Sequence, residues 1–236
     1  MSHLSRSKLT LLVVTFAVPS LCSALTIQTI GGGSAVSSVD RAATFDGLNY
    51  QTNGTALSDY TENQIIIGTS GDSLAGWGPS VRPYFDPFHV PGIPNPTGFY
   101  YPDGGSTDWV TIETQDAAPI HALEFLYGNG WTTGDIYGVP WGNSSAYVTW
   151  QTLKGGSVVS SGDIGVGEVL AVGTTVGFFD TDGFDQLQLK CLSANSYDPN
   201  LQALALDDLN VQTSPVPEPA SLVALAIGIL ALKRRR

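Results

Sequence analysis

Two adjacent carboxylates, Asp207 and Asp208, interrupt the apolar run "ALALDDLNV". Leu204 and Leu206 fall on even positions and Leu209 and Val211 on odd ones, so the alternation slips at the acidic pair. A β-bulge absorbs such a slip, and it is expected here to aim both carboxylates toward one rim. Like charges that close repel unless a cation stands near them. Calcium takes roughly six to eight oxygens, several of them from carboxylates. Asp46 joins the pair if the first and last strands are neighbours. Asp46, Asp207 and Asp208 are therefore the candidate metal ligands, with structural Ca2+ as the candidate cofactor. Arg41, five positions before Asp46, is the nearest alternative counter-charge. A second acidic stretch, "DTDGFD" from Asp180 to Asp185, has its glycine, Gly183, too early for an EF-hand loop. It is expected to be an acidic hairpin turn.

Aromatic rings offer a second chemistry. Trp131 and Trp141 stand in the Gly-rich stretch "YGNGWTTGDIYGVPWGNSS", where exposed rings could stack on pyranose faces. They are the candidate ligand-binding residues. Trp109 and Trp150 lie in strand-like runs, and Trp150 is expected in the core. Catalytic chemistry finds little support. Beyond the first 24 residues the only histidines are His89 and His121. There is no Gly-x-Ser-x-Gly elbow, no His-Glu-x-x-His and no phosphate-binding glycine loop. No catalytic residue is assigned, and the chain is read as not an enzyme. A pair of acids acting as a glycosidase stays a distant alternative.

The elements that must position these residues lie between two targeting segments. Arg6 and Lys8 precede the apolar stretch "LTLLVVTFAVPSL", and "CSA" supplies small residues before a cut. Residues 1–24 are therefore expected to be a secretory signal peptide, read by the secretion translocon and removed by signal peptidase. At the other end, residues 214–236 contain Val216-Pro217-Glu218-Pro219, then uncharged Ala220 to Leu232, then Lys233 to Arg236. The prolines fix φ and lack an N–H, so this stretch is extended and open to an enzyme cleft. The 13 apolar residues would span about 20 Å as a helix, short of a bilayer core. The basic end prefers the cytoplasmic face. Such a tail suits transient anchoring.

Residues 25–213 remain as one domain. Gly and Pro, 41 of 236 residues, punctuate short runs rich in Val, Ile, Thr and aromatics. Period-two alternation sets Val110 and Ile112 against Trp109, Thr111 and Glu113. It aligns Leu123, Phe125 and Tyr127, sets Val148 and Trp150 against Thr149 and Gln151, and sets Leu187 and Leu189 against Gln186, Gln188 and Lys190. Further strands are expected at Thr26–Ile30, Gln64–Gly68, Gly98–Tyr101, Ser157–Ser160, Val169–Val172 and Thr175–Phe179. One buried face per strand means antiparallel sheets packed face to face. The fold class is all-β: an antiparallel β-sandwich of the jelly-roll kind, flanked by a signal helix and a short C-terminal apolar helix.

Two resemblances follow. The order Pro-Glu-Pro, apolar helix, basic cluster, at residues 216–236 of a chain with a leader, resembles the PEP-CTERM sorting signal. That implies recognition by an exosortase, with Val216, Pro217, Glu218 and Pro219 as the sorting motif. It implies export from a Gram-negative bacterium that makes exopolysaccharide, often as biofilm, with a transient stay in the inner membrane. The run around Asp207-Asp208 and the stretch "FDGLNYQTNGTALSDYTENQIIIG" are similar to the closing and opening strands of jelly-roll carbohydrate-binding modules and MAM-type adhesion domains. In such jelly rolls a structural calcium sits between those strands.

Charge bounds the partners. The domain holds four basic and twenty acidic residues, a net charge of −16. Such a surface repels phosphate backbones, so no nucleic-acid partner is expected, while neutral polysaccharide and divalent cations suit it. Cys191 is the single cysteine of the domain, which excludes an internal disulfide. The expected role is a structural or adhesive component of an exopolysaccharide matrix, with a carbohydrate-binding module as the alternative.

Overall fold

The computed structural model describes residues 26–30, 34–46, 59–70, 80–83, 98–101, 109–129, 148–164, 173–190 and 204–215. The expected signal peptide at 1–24, residues 216–236 of the tail, Trp131, Trp141 and the strand expected at Val169–Val172 lie outside them. The described residues form strands β1 (Thr26–Ile30), β2 (Arg41–Ala43), β3 (Asp59–Glu62), β4 (Ile65–Thr69), β5 (Ser80–Pro83) and β6 (Gly98–Tyr101). They continue with β7 (Val110–Thr114), β8 (Ile120–Asn129), β9 (Val148–Lys154), β10 (Ser157–Ile164), β11 (Thr174–Phe184), β12 (Gln186–Lys190) and β13 (Leu204–Gln212). No helix occurs among them.

Two antiparallel sheets pack together as a β-sandwich. Sheet A runs β1-β11-β8-β13-β6-β5, with β2 also on β13, and sheet B runs β10-β9-β12-β7-β4-β3. The core holds Leu123, Phe125, Tyr127, Val176, Phe178, Leu204, Leu206, Leu209 and Val211 from sheet A. Sheet B contributes Ile65, Ile67, Val110, Ile112, Val148, Trp150, Leu187 and Leu189. Alternation had aligned Val110 with Ile112, Leu123 with Phe125 and Tyr127, Val148 with Trp150, and Leu187 with Leu189, and each set faces this core. Fully burying one such side chain stabilises the fold by about 1.5–3 kcal/mol. Trp150 meets Phe178 edge-on across the sheets, ring centroids 5.5 Å apart.

The acidic stretch Asp180–Asp185 departs from the expected hairpin turn. Chain continues through it from β11 in sheet A to β12 in sheet B, and β11 and β12 are not partners. Only Asp185 separates the two strands, and its amide donates to Leu153 O at 2.8 Å. A left-handed residue, Gly183 (φ 69°), lies in the crossing. A Cβ there would stand 3.1 Å from both His121 and Pro119. Asp180 is buried and accepts from the Asp182 amide at 2.8 Å.

The sandwich has two unlike ends. The β3–β4 turn at Asn63-Gln64, the β7–β8 turn, the Gly155-Gly156 turn and the crossing at Asp185 gather at one end. Arg41 ties the sheets there. It pairs in bidentate fashion with Asp116, at 2.9 and 2.7 Å, and donates to Gln64 O at 3.3 Å. The last strand also ends here, since Gln212 stands opposite Ala122 near the start of β8. The ends of β4, β8, β10 and β12, at Thr69, Asn129, Ile164 and Lys190, lie at the other end.

Candidate functional site

The bulge expected in the last strand is present. Along β13 the partner on β8 passes from Leu126 opposite Asp207 to Glu124 opposite Asn210. The slip falls where the other neighbour of β13 changes from β6, at Leu206, to β2, at Leu209. Asp208 takes the left-handed conformation, φ 48°. Its amide donates to Asp207 Oδ1 at 2.7 Å. The two carboxylates do not share a rim, which corrects the expectation. Asp207 is fully buried and Asp208 is exposed. The reason is the turn itself: φ reverses at Asp208 and swings it to solvent. Asp207 keeps the parity of Ala205, which is buried beside Phe99 and Leu126.

Asp46 lies just past β2, and its Oδ1 accepts from the Gly98 amide at 2.9 Å. Gly98 must be glycine here, because a Cβ would stand 2.3 Å from Phe45 O. Glu62 holds the same turn from sheet B, accepting from the Thr44 and Phe45 amides at 3.1 Å each. Arg41, the alternative counter-charge, is engaged with Asp116 and not with the bulge. Among the described residues no three His, Cys, Asp or Glu side chains are grouped to hold a metal ion. Strand β2, which leads into Asp46, lies beside β13, whereas the first strand, β1, pairs with β11; Asp46 and the acids of β13 serve different partners.

The outer face of sheet B carries a polar row that pairing alone aligns. Gln151 stands opposite Gln188, Gln188 opposite Thr111, Thr111 opposite Gly68 and Gly68 opposite Asp59. The row therefore crosses five adjacent strands, each about 4.8 Å from the next. Hydrogen bonds run one way through it. Gln151 Nε2 donates to Gln188 Oε1, Gln188 Nε2 to Gln186 Oε1, and Gln186 Nε2 to Glu113 Oε2. Each amide keeps a second N–H beyond this chain. At Gly68 a Cβ would fall 2.3 Å from Asp59 Oδ1, so the missing side chain makes room for that carboxylate beside Thr111. Lys190 Nζ lies over the Trp109 ring, 4.6 Å from its centroid. Alternation placed Trp109, Thr111 and Glu113 on one face and Gln186, Gln188 and Lys190 on one face. That these two sets are neighbours was not legible from spacing.

The third arrangement is at the chain exit. Asp40 Oδ2 accepts four bonds: Thr213 N at 2.8 Å, Thr213 Oγ1 at 3.2 Å, Ser214 N at 2.8 Å and Ser214 Oγ at 2.9 Å. These bonds, the Ser214 amide first, hold the Asp40 carboxyl below its usual pKa. Asp40 is itself fixed, its amide donating to Val211 O at 3.0 Å. The residues before it lie along the outer face of sheet A. Gln212 Oε1 accepts from the Ser37 and Ser38 amides at 3.0 and 3.2 Å. Nothing in the spacing of Asp40 and Thr213, 173 positions apart, signals this contact.

Fold and exit together define a β-sandwich that passes directly into a tail. Residues 215–236 match the family model of the PEP-CTERM protein-sorting motif. No curated protein matches the chain. The motif marks an exported protein that an exosortase processes and that is sorted to the cell envelope or surface. The four residues Val216, Pro217, Glu218 and Pro219 fall inside the match.

Proposed function

We propose that this chain is a surface protein whose sandwich serves as a structural or adhesive component of an exopolysaccharide matrix. The observation that carries this reading is the succession of a folded domain and a sorting motif. Among the described residues Ser214 is the last bonded to the fold, and Pro215 is the first of the match. In this reading the leader 1–24 sends the chain through the translocon of a Gram-negative cell, and Ala220–Leu232 holds it briefly in the inner membrane. The exosortase then removes the tail. Fractionation tests it: mature protein should lie outside the inner membrane and lack Arg236, and removal of Lys233–Arg236 should strand it there. Intact tail on surface protein, in a cell with an exosortase, would reject it.

A second reading, that the sandwich itself binds polysaccharide, is favoured by the amide row on sheet B. Aligned amides donate and accept toward hydroxyl pairs, and Trp109 supplies a ring beside them. Trp131 and Trp141 stay candidate platforms of the same kind. Affinity electrophoresis in the cell's own neutral polysaccharide should retard the domain, and Gln188→Ala or Trp109→Ala should abolish the retardation. Equal mobility with and without polysaccharide would end this reading and leave the sorting one standing.

A further inference from the structure

Ser214 is clamped by Asp40, and the apolar run begins at Ala220. Five residues, Pro215 to Pro219, lie between. Fully extended, they span at most about 17 Å. One interfacial layer of a bilayer takes up about 5–7 Å of that length. With the apolar run held in a membrane, as proposed above, at most about 10 Å of chain can stand clear between bilayer and fold. A domain of this size has a radius of gyration of about 16 Å. A soluble protease of similar bulk cannot enter such a gap, whereas an enzyme embedded in the bilayer approaches from below.

Asp40 sets the width of this gap. Without its bonds the last paired strand residue is Gln212, opposite Ala122, and the bond left to Ser214 among the described residues, from Gln212 Nε2 to Ser214 O at 3.0 Å, comes from that same residue. Thr213 and Ser214 would then join the free chain and lengthen it by about 7 Å. We propose that Asp40 guards the sorting motif. By holding Thr213 and Ser214 it keeps the sandwich so near the membrane that an enzyme working at the bilayer surface reaches Pro217–Pro219 and soluble proteases do not. Asp40 touches no reacting atom; it is a positioning residue that sets which enzyme reads the motif. The end of the sandwich facing the membrane is then the one with the tight turns and the Arg41–Asp116 pair.

The test uses full-length precursor in cells lacking the exosortase, so that unprocessed chain accumulates. Membranes are treated with a soluble protease of broad specificity, and the released domain is followed by immunoblot and C-terminal mass. Three chains are compared: wild type, Asp40→Ala, and an insertion of eight Gly and Ser residues after Ser214 with Asp40 intact. The insertion variant should be cut between residues 213 and 220 about tenfold faster than wild type, because no local opening has to precede cleavage. Asp40→Ala should fall between. In cells with the exosortase all three should lose their tails. Wild type and insertion variant cut equally fast, or both resistant, would overturn the guard. An effect in Asp40→Ala without one in the insertion variant would overturn it too, since it would reflect stability alone. If Asp40→Ala fails to fold, the insertion variant decides. A precursor found outside the membrane fraction removes the anchoring reading and the guard with it.

Discussion

Glu124 is the residue whose loss should cost the sandwich most for a side chain outside the core. It lies in the middle of β8, only 6 % exposed, between Gly177 of β11 and Asn210 of β13. Its carboxylate gathers the segment that crosses sheet A. It accepts from Ala35 N at 2.6 Å, Val36 N at 3.4 Å and Ser34 Oγ at 2.8 Å, and from Asn210 Nδ2 at 3.3 Å. Gly177 lets the segment lie close, since a Cβ there would be 2.3 Å from that of Ala35. Hydrogen bonds to a charged group contribute about 1.5–3 kcal/mol each. Glu124→Ala removes the acceptor, but Ser34 is exposed, so part of the segment can open and rehydrate. The net cost is then about 3 kcal/mol, less than the bonds sum to. For a domain of this length that lowers the melting temperature by about 6–12 °C. Calorimetry measures the drop, and hydrogen exchange should show the Ala35 and Val36 amides losing protection while the Asp40–Ser214 contact persists. A melting temperature within about 2 °C of wild type, with those amides still protected, would refute the reasoning.

Four further outcomes are expected. Tyr100 is fully buried and its hydroxyl has no hydrogen-bond partner among the described residues, and burial pushes its pKa well up. Tyr100→Phe should therefore stabilise the domain by about 1 kcal/mol in chemical unfolding, and a loss of similar size would show a partner at work. Asp208→Val forces a β-branched residue to φ 48° and should cost about 1–2 kcal/mol, whereas Asp208→Gly should be near neutral in the same assay. The Arg41 guanidinium, with the Ala118 amide, lowers the Asp116 pKa to about 2. Its small contribution to stability is present above the unfolded carboxylate value and is lost as pH falls toward 2, and Arg41→Ala should return the Asp116 carbon titration to the ordinary range. Calcium at the bulge would need Asp208 and Asp46 to be joined by oxygens outside the described residues. A melting temperature that rises in millimolar calcium, and loses that rise in Asp208→Ala, would support it, and coincident curves in calcium and chelator would reject it.

Alternation was legible wherever a strand was long enough to show it. Val110 and Ile112, Leu123, Phe125 and Tyr127, and Leu187 and Leu189 are inward because a period of two admits one buried face. The same rule made the bulge at Asp207-Asp208 readable, since a parity slip inside one strand has to be absorbed locally. Strands β2, β3 and β5, three or four residues each, were not among the strands expected, although β6, equally short, was. The sorting motif was legible because its signal is local order along the chain, and it needs no partner from the fold. Other features depend on which strands become neighbours. Asp207 is buried and Asp208 exposed because the chain turns left-handed at Asp208, where the neighbour of β13 changes from β6 to β2. The amide row exists because β12 falls between β9 and β7. Asp40 meets Ser214 because β2 pairs with β13 across most of the chain's length. Local pattern decides which face a residue takes; strand order and register, set by the closing of the whole core, decide what it touches there.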